Sequence, residues 1–196
     1  MVTGGGFRQT GKVIYFNAIL YNKDYVKNPD ETALPIFGEP IVKSAEFDFS
    51  HTSYYEPEMG ANLAKYFALY ELVEHPDNLP DYKIHAVNIE DRAAVNGKRV
   101  INIDPGYVAM EKVVAASTKN FTHRIYLRDN IYGDLQLYRR KGKYIPLEWT
   151  FQDYQFDSVL GFFEKARKIL EERVGMPSTC GIIQEKVQPD RRFNED

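Results

Sequence analysis

The stretch from 123 to 149 constrains this chain most. "HRIYLRD", "IYGDLQLYRR" and "KYIPLEW" each alternate in polarity, and Asp-Asn and Lys-Gly pairs separate them. Period-two alternation broken by such turn residues predicts a three-strand antiparallel meander. Pro146 has no N–H to give a ladder, so the last of these strands belongs at an edge or a bulge. "DSVLGFFEKARKILEERV" (157–174) follows, with Val159, Leu160, Phe163, Ala166 and Leu170 on one face of a helix. Asp157 is its expected N-cap. An apolar stripe of that length needs a sheet to cover, and the meander is its neighbour in sequence.

The earlier chain adds more strands. "KVIYFNAILYN" (12–22) is apolar on both alternating faces, the pattern of a strand buried inside a sheet. A short helix fits only between Asp30 and Gly38. "IVKSAEFDFS" (41–50) alternates as a half-buried strand, with Ile41, Ala45, Phe47 and Phe49 facing one way. "HTSYYEPEMG" reads as a loop, and "AKYFALYELV" (64–73) as a strand. Tyr82, His85 and Ile89 recur at helical spacing, in a helix expected to end at Asn96-Gly97. "KRVINI" is a strand running into a turn at Asp104-Pro105-Gly106. "YVAMEKVVAASTK" reads as a helix. The expected class is α+β: a mixed, largely antiparallel sheet with a C-terminal β-meander and a covering amphipathic helix. One domain spans 12–174, between a flexible leader (1–11) and a C-terminal tail (175–196) that docks through Ile182-Ile183 if at all.

Composition narrows the function classes. The chain's 196 residues suit one domain with a sizeable core. A net charge of −3 gives no global electrostatic case for nucleic acid, whose binders usually carry a basic face, and so argues against it as a partner. The single cysteine, Cys180, excludes an intramolecular disulfide and any multi-cysteine zinc site. No apolar run approaches a membrane span, and the N-terminal stretch lacks the apolar region of a signal peptide. A cytoplasmic protein is therefore expected, and oligomeric state is not legible. Neither a phosphate-binding glycine loop, a nucleophile elbow nor a zinc-protease helix is present.

What remains is a set of acids, rings and bases at expected strand ends. Asp104 follows "INI"; its bland reading is a turn cap, its functional one a carboxylate on a rigid edge. His123 is either a hydrogen-bonded core histidine or a general base needing a nearby carboxylate. Glu148 is either a solvated edge charge or a second acid. "YYEPEMG" sets Tyr55 and Glu58 in a loop that suits either a turn or a ligand lid. The cluster "YRRKGK" (138–143) reads as a solvated hairpin tip.

In order along the chain, "FDFSHTSYYEPEMG", "RVINIDPGYV", "THRIYL", the Tyr-Arg-x-Lys-Gly turn and "PLEWTFQDY" resemble domain-of-unknown-function family 4416, of bacteria and archaea. The resemblance covers about residues 12–174 and implies a prokaryotic cytosolic protein. It departs after the first strand, where Pro29 and Pro35 interrupt a longer helix expected of that family. It assigns no catalytic role to any residue.

Two function classes follow. The first is a small-molecule pocket for a ligand bearing carboxylate or phosphate, a nucleotide among the candidates. Arg124 would hold the anion bidentately, with Tyr55, Glu58, Tyr126 and Asp153 around the ligand. Asp104, His123 or Glu148 would serve as acid or base, or an acid would bind a divalent metal such as Mg²⁺. The second is a non-catalytic module for a protein or single-stranded nucleic acid, its charged motifs being structural ion pairs. Two geometric expectations go with the first. Glu58 and Asp104 should border one cleft, and Arg124 should pair with Asp104, Glu148 or Asp153.

Overall fold

The structure, a computed structural model, describes residues 11–50, 52 and 54–175. The expected leader and tail lie outside these residues except for Gly11 and Gly175.

The sheet is built around β1 (Val13–Asn22), all ten of whose residues are buried. It is flanked by β4 (Leu63–Glu74) and β5 (Ile101–Val108), each antiparallel to it. Beyond β5 come β6 (Lys112–Ser117), β8 (Ile131–Arg140) and β7 (Arg124–Arg128). On the other side β2 (Val42–Lys43) and β3 (Phe47–Asp48) pair with β4, and β9 (Lys143–Pro146) pairs with β8. Every pairing is antiparallel.

Helices cover both faces. α1 (Pro29–Phe37) and α3 (Leu79–Ala93) pack Ala33, Ile36, Ala86 and Ile89 against Ile19, Tyr66, Tyr70 and Ile101. α4 (Asp157–Val174) packs Val159, Phe162, Phe163, Ala166 and Leu170 against Ile14, Phe16, Phe67, Leu69 and Val108. Alternation along β1 sends Phe16 to one layer and Ile19 to the other, so this strand joins both cores. α4 thus lies chiefly over β4, β1 and β5 rather than over the C-terminal hairpins expected beneath it, which it meets through Leu137, Tyr144 and an Arg139–Glu164 ion pair at 2.7 Å.

The α+β class and the C-terminal hairpins are as expected, the turns being Asp129-Asn130 and Lys141-Gly142 with positive φ at all four residues. β7 and β9 occupy opposite ends of one β8 edge, because β6 takes the other edge.

Several local expectations are corrected. Residues 107–119 form the end of β5, a turn and β6, not a helix; Val113 to Ala116 are buried on both alternating faces, which suits an interior strand. Asp104-Pro105-Gly106 is not a turn but the middle of β5, opposite Ala18, Asn17 and Phe16. Ile103 donates its N–H to Glu90 rather than to β1, so the nitrogen of Pro105, two residues on, also points away from β1. No ladder is broken there. Gly106 is required: a Cβ would sit 2.4 Å from Phe16 Cζ and 2.6 Å from Val114 O. Asn96-Gly97 does not cap α3 but makes a tight turn joining Val95 to Lys98. Residues 41–50 hold only the two short strands β2 and β3, with Ile41 exposed. Residues 56–59 make a single helical turn, α2 (Glu56–Met59), inside the expected loop. Phe156, not Asp157, occupies the N-cap of α4; Asp157 is its first residue, where its charge still suits the helix dipole.

Candidate functional site

The site begins where two strands part. β5 and β6 pair only from Gly106–Ala115 to Val108–Val113. Beyond that, residues 101–105 lack a strand neighbour on the β6 side, and their backbone groups need other partners. α3 supplies them. Glu90 accepts from the Ile103 N–H at 2.8 Å, and Lys83 donates to the Ile103 carbonyl at 2.8 Å. The fork opens into a cavity of about 830 Å³ on the α4 side of the sheet. That volume lies within the range of small-molecule sites.

One wall is a closed ring of polar contacts. Lys83 Nζ meets Asp104 Oδ1 at 2.9 Å and Glu90 Oε1 at 3.3 Å. Arg99 Nη1 donates to Glu90 Oε2 at 2.9 Å and to Asn102 Oδ1 at 2.6 Å. Asn102 closes the circuit by donating to Asp104 Oδ2 at 2.8 Å. Arg99 also grips Glu58 through Nε and Nη2, at 3.0 and 2.8 Å, tying α2 to the ring. All three ammonium hydrogens of Lys83 are matched by acceptors, and both oxygens of Glu90 and of Asp104 by donors. Burial works against the charge on Lys83, but Asp104 and Glu90 outweigh it and hold its pKa above the ordinary lysine value. Burial likewise opposes the Asp104 charge, but Lys83, Lys65 and Asn102 hold its carboxyl below the usual range. Both groups stay ionised.

The opposite wall is less saturated. Arg124 stands at the start of β7, its side chain 7% exposed. Its Nε donates to Asp134 Oδ2 at 2.7 Å, and its Nη1 to Ser117 Oγ at 2.7 Å and Lys119 O at 2.9 Å. Nη2 makes no hydrogen bond to any described residue. The guanidinium stands over the rings of Phe121 and Phe151, at 4.8 and 6.0 Å. Among the described residues, Lys65, on β4, forms an ion pair with Asp153 Oδ2 at 2.6 Å, outside hydrogen-bond geometry, amid the rings of Phe49, Phe67 and Tyr154. Lys119 Nζ donates to Tyr54 Oη at the rim. Burial and the nearby Asp104 charge push the Tyr55 phenol well above its ordinary range, so it remains a neutral donor.

Of the residues singled out from sequence, Asp104, Tyr55, Glu58, Arg124 and Asp153 line this one cavity. Glu58 and Asp104 therefore border the same cleft, as expected. Arg124 does not pair with Asp104, Glu148 or Asp153: its carboxylate is Asp134, directly opposite it on β8. Three residues stand outside the lining. His123 stacks on Trp149, with ring centroids 5.1 Å apart, behind Arg124. Glu148 is exposed beyond the end of β9. Tyr126 is 57% exposed and packs edge-on against Tyr132.

Sequence reasoning missed Lys65, Lys83, Glu90, Arg99 and Asp134. A signal existed for two of them. Leu79, Lys83, Ala86 and Glu90 fall on one stripe of α3, all buried, so opposite charges seven residues apart interrupt an apolar face. Among the described residues, no group of three His, Cys, Asp or Glu side chains stands close enough to hold a metal ion.

No match to the chain was found among curated proteins or solved structures. A family profile, that of the domain of unknown function DUF4416, matches residues 11–170. The chain belongs to the DUF4416 family, and the fork, the ring and both cavity walls lie within the matched segment.

Proposed function

We propose that the chain binds a small anionic metabolite, carrying carboxylate or phosphate and of nucleotide size, in the fork cavity. The observation that carries this reading is Arg124, a guanidinium in the cavity lining whose Nη2 makes no hydrogen bond to any described residue. The lining holds six carboxylates against five cations, so overall charge does not favour an anion. Unused donors do: on the ring wall the charges neutralise one another, whereas Arg124, Lys65 and Lys119 keep hydrogens to offer. Phe49, Tyr54, Tyr55 and Phe121 give the same space ring surfaces suited to an aromatic moiety. Asp104, with both oxygens engaged, shapes the cavity floor in this reading.

A thermal-shift screen of nucleotides, phosphorylated metabolites and dicarboxylates tests it. A true ligand at about 100 times its Kd stabilises the fold by roughly 2.7 kcal/mol. If none of these anions raises the melting temperature, with or without Mg²⁺, the reading fails. No helix among the described residues is long and apolar enough to cross a membrane, and a prokaryotic cytoplasm is the proposed setting.

A second reading rests on a different surface. β7 is a sheet edge that exposes Ile125, Tyr126 and Leu127, at 70%, 57% and 41%. An edge strand with apolar side chains outward suits docking of a protein segment. Loss of a pulled-down partner on Ile125→Lys, with ligand binding intact, would favour it.

A further inference from the structure

The cavity uses only part of the cluster around Arg124. Behind the guanidinium lies His123, its ring between Phe121 and Trp149, with centroids at 6.1 and 5.1 Å. Its Nε2 is buried, has no hydrogen-bond partner, and stands 3.6 Å from Asp134 Oδ1. The same Asp134 takes Arg124 on its other oxygen at 2.7 Å. Asp134 is 1% exposed, so water contributes little screening to either contact. Gln136 donates to Oδ1 at 2.7 Å and is neutral. Among the described residues, the charged groups at His123 are Asp134 from β8 and, on the other oxygen of that carboxylate, Arg124 from β7; Phe121 and Trp149 present rings.

We infer that His123 is a positioning residue that sets, through Asp134, how much of the Arg124 charge reaches an anion in the cavity. This deepens the anion-binding reading and rests on it. With a neutral imidazole, Asp134 answers Arg124 alone, and the trio sums to zero. With a protonated imidazole, Nε2–H has a carboxylate oxygen to move toward, Asp134 divides its charge between two cations, and the trio sums to +1. Arg124 then faces the cavity less neutralised, and anion binding tightens. Proton and anion must favour each other reciprocally, because the coupling is one free energy. His123 touches no ligand in this scheme.

Sulfate is the probe, because it stays divalent where phosphate would itself titrate. The measurement is an NMR titration of the full chain at constant ionic strength, at about pH 8 and at about pH 6. The wild type should bind sulfate beside Arg124 about three- to tenfold tighter at the lower pH, the size expected of one added charge at this range. His123→Phe keeps the stack on Trp149 but cannot take the proton, and its affinity should be the same at both. A flat wild-type profile, or the same pH response in the variant, overturns the inference while leaving anion binding at Arg124 standing. No sulfate response near Arg124 at either pH overturns both. Should His123→Phe fail to fold, wild-type calorimetry in two buffers of different ionisation heat decides. Proton uptake on sulfate binding, with the His123 ring resonances moving, supports the coupling, and its absence refutes it.

Discussion

The two walls of the fork cavity contain the same kinds of side chain and use them differently. On the α3–β5 wall, Lys83, Glu90, Arg99, Asn102 and Asp104 close on themselves, and Lys83 and Glu90 also satisfy the backbone of Ile103. On the β7–β8 wall, Arg124 has a carboxylate and two oxygens, yet one of its nitrogens makes no hydrogen bond to any described residue. A buried charge is tolerated when its partners match its donors. The first wall meets that condition within the protein, as a structural element does. The second leaves donors over, as a binding element does.

The sharpest break in the comparison is Lys83→Met. It strips the closed wall of its central cation, leaving Asp104 and Glu90 facing each other and the Ile103 carbonyl without its donor. A loss of about 3–5 kcal/mol in denaturant unfolding is expected. A loss under about 1 kcal/mol would mean the ring is not what holds the fork.

The fork's apex comes next. Gly106→Ala would place a methyl group 2.6 Å from the Val114 carbonyl, a backbone atom that cannot swing aside. A cost of about 1–3 kcal/mol is expected, from the overpacking alone. Unchanged stability would show that β5 and β6 can separate at their junction.

The pH profile sharpens the contrast further. Asp104 is held below its ordinary value, so its contribution is full above about pH 3.9 and is lost as pH falls through the lower folded value. Lys83 is held above its ordinary value, so its contribution is full below about pH 10.4 and is lost as pH rises through the higher folded value. In the wild type the contribution of this pair should therefore hold level from about pH 4 to about pH 10 and be lost outside that window. In Lys83→Met the two facing carboxylates should share a proton as pH falls, so the stability difference between the two proteins narrows on acidification. A difference that stays the same as pH falls from about 8 toward about 4 would contradict the closed ring.

The smallest effect belongs to the ring's outer branch. Glu58 is about half exposed and grips Arg99 from the solvent side. Glu58→Gln should cost less than about 1 kcal/mol by the same unfolding measurement, because exposed pairs are weak. A larger loss would extend the structural wall out to α2.

How much of this was legible in sequence follows from what alternation can express. The C-terminal hairpins and α4 were plain, because turn residues and an apolar stripe mark them locally. β6 was not: "KVVAAS" is apolar on both faces, and a buried strand of that kind carries no period to tell it from a helix. Asp-Pro-Gly predicts a turn because that is the usual chemistry of the triplet. Only the fork, a tertiary feature, lets Pro105 sit in a strand without breaking a ladder. Five of the eight candidate site residues line the cavity, yet the partner of Arg124 was misjudged. Asp134 lies in mid-strand and becomes its neighbour through β7–β8 register, not through any motif. Lys65 and Arg99 had no local mark at all.

The central claim is that Arg124 holds an anion and that its wall is not merely structural. Arg124→Gln combined with Asp134→Asn removes both charges together and keeps a polar pair in place, so neither partner is left buried and unmatched. The direct measurement is the melting temperature of wild type and this double variant, each with and without the anion that emerges from the screen. The account predicts unliganded stabilities within about 1 kcal/mol of each other, a ligand-induced rise in the wild type, and none in the double variant. An equal rise in both proteins, or a collapse of the unliganded double variant, would contradict it.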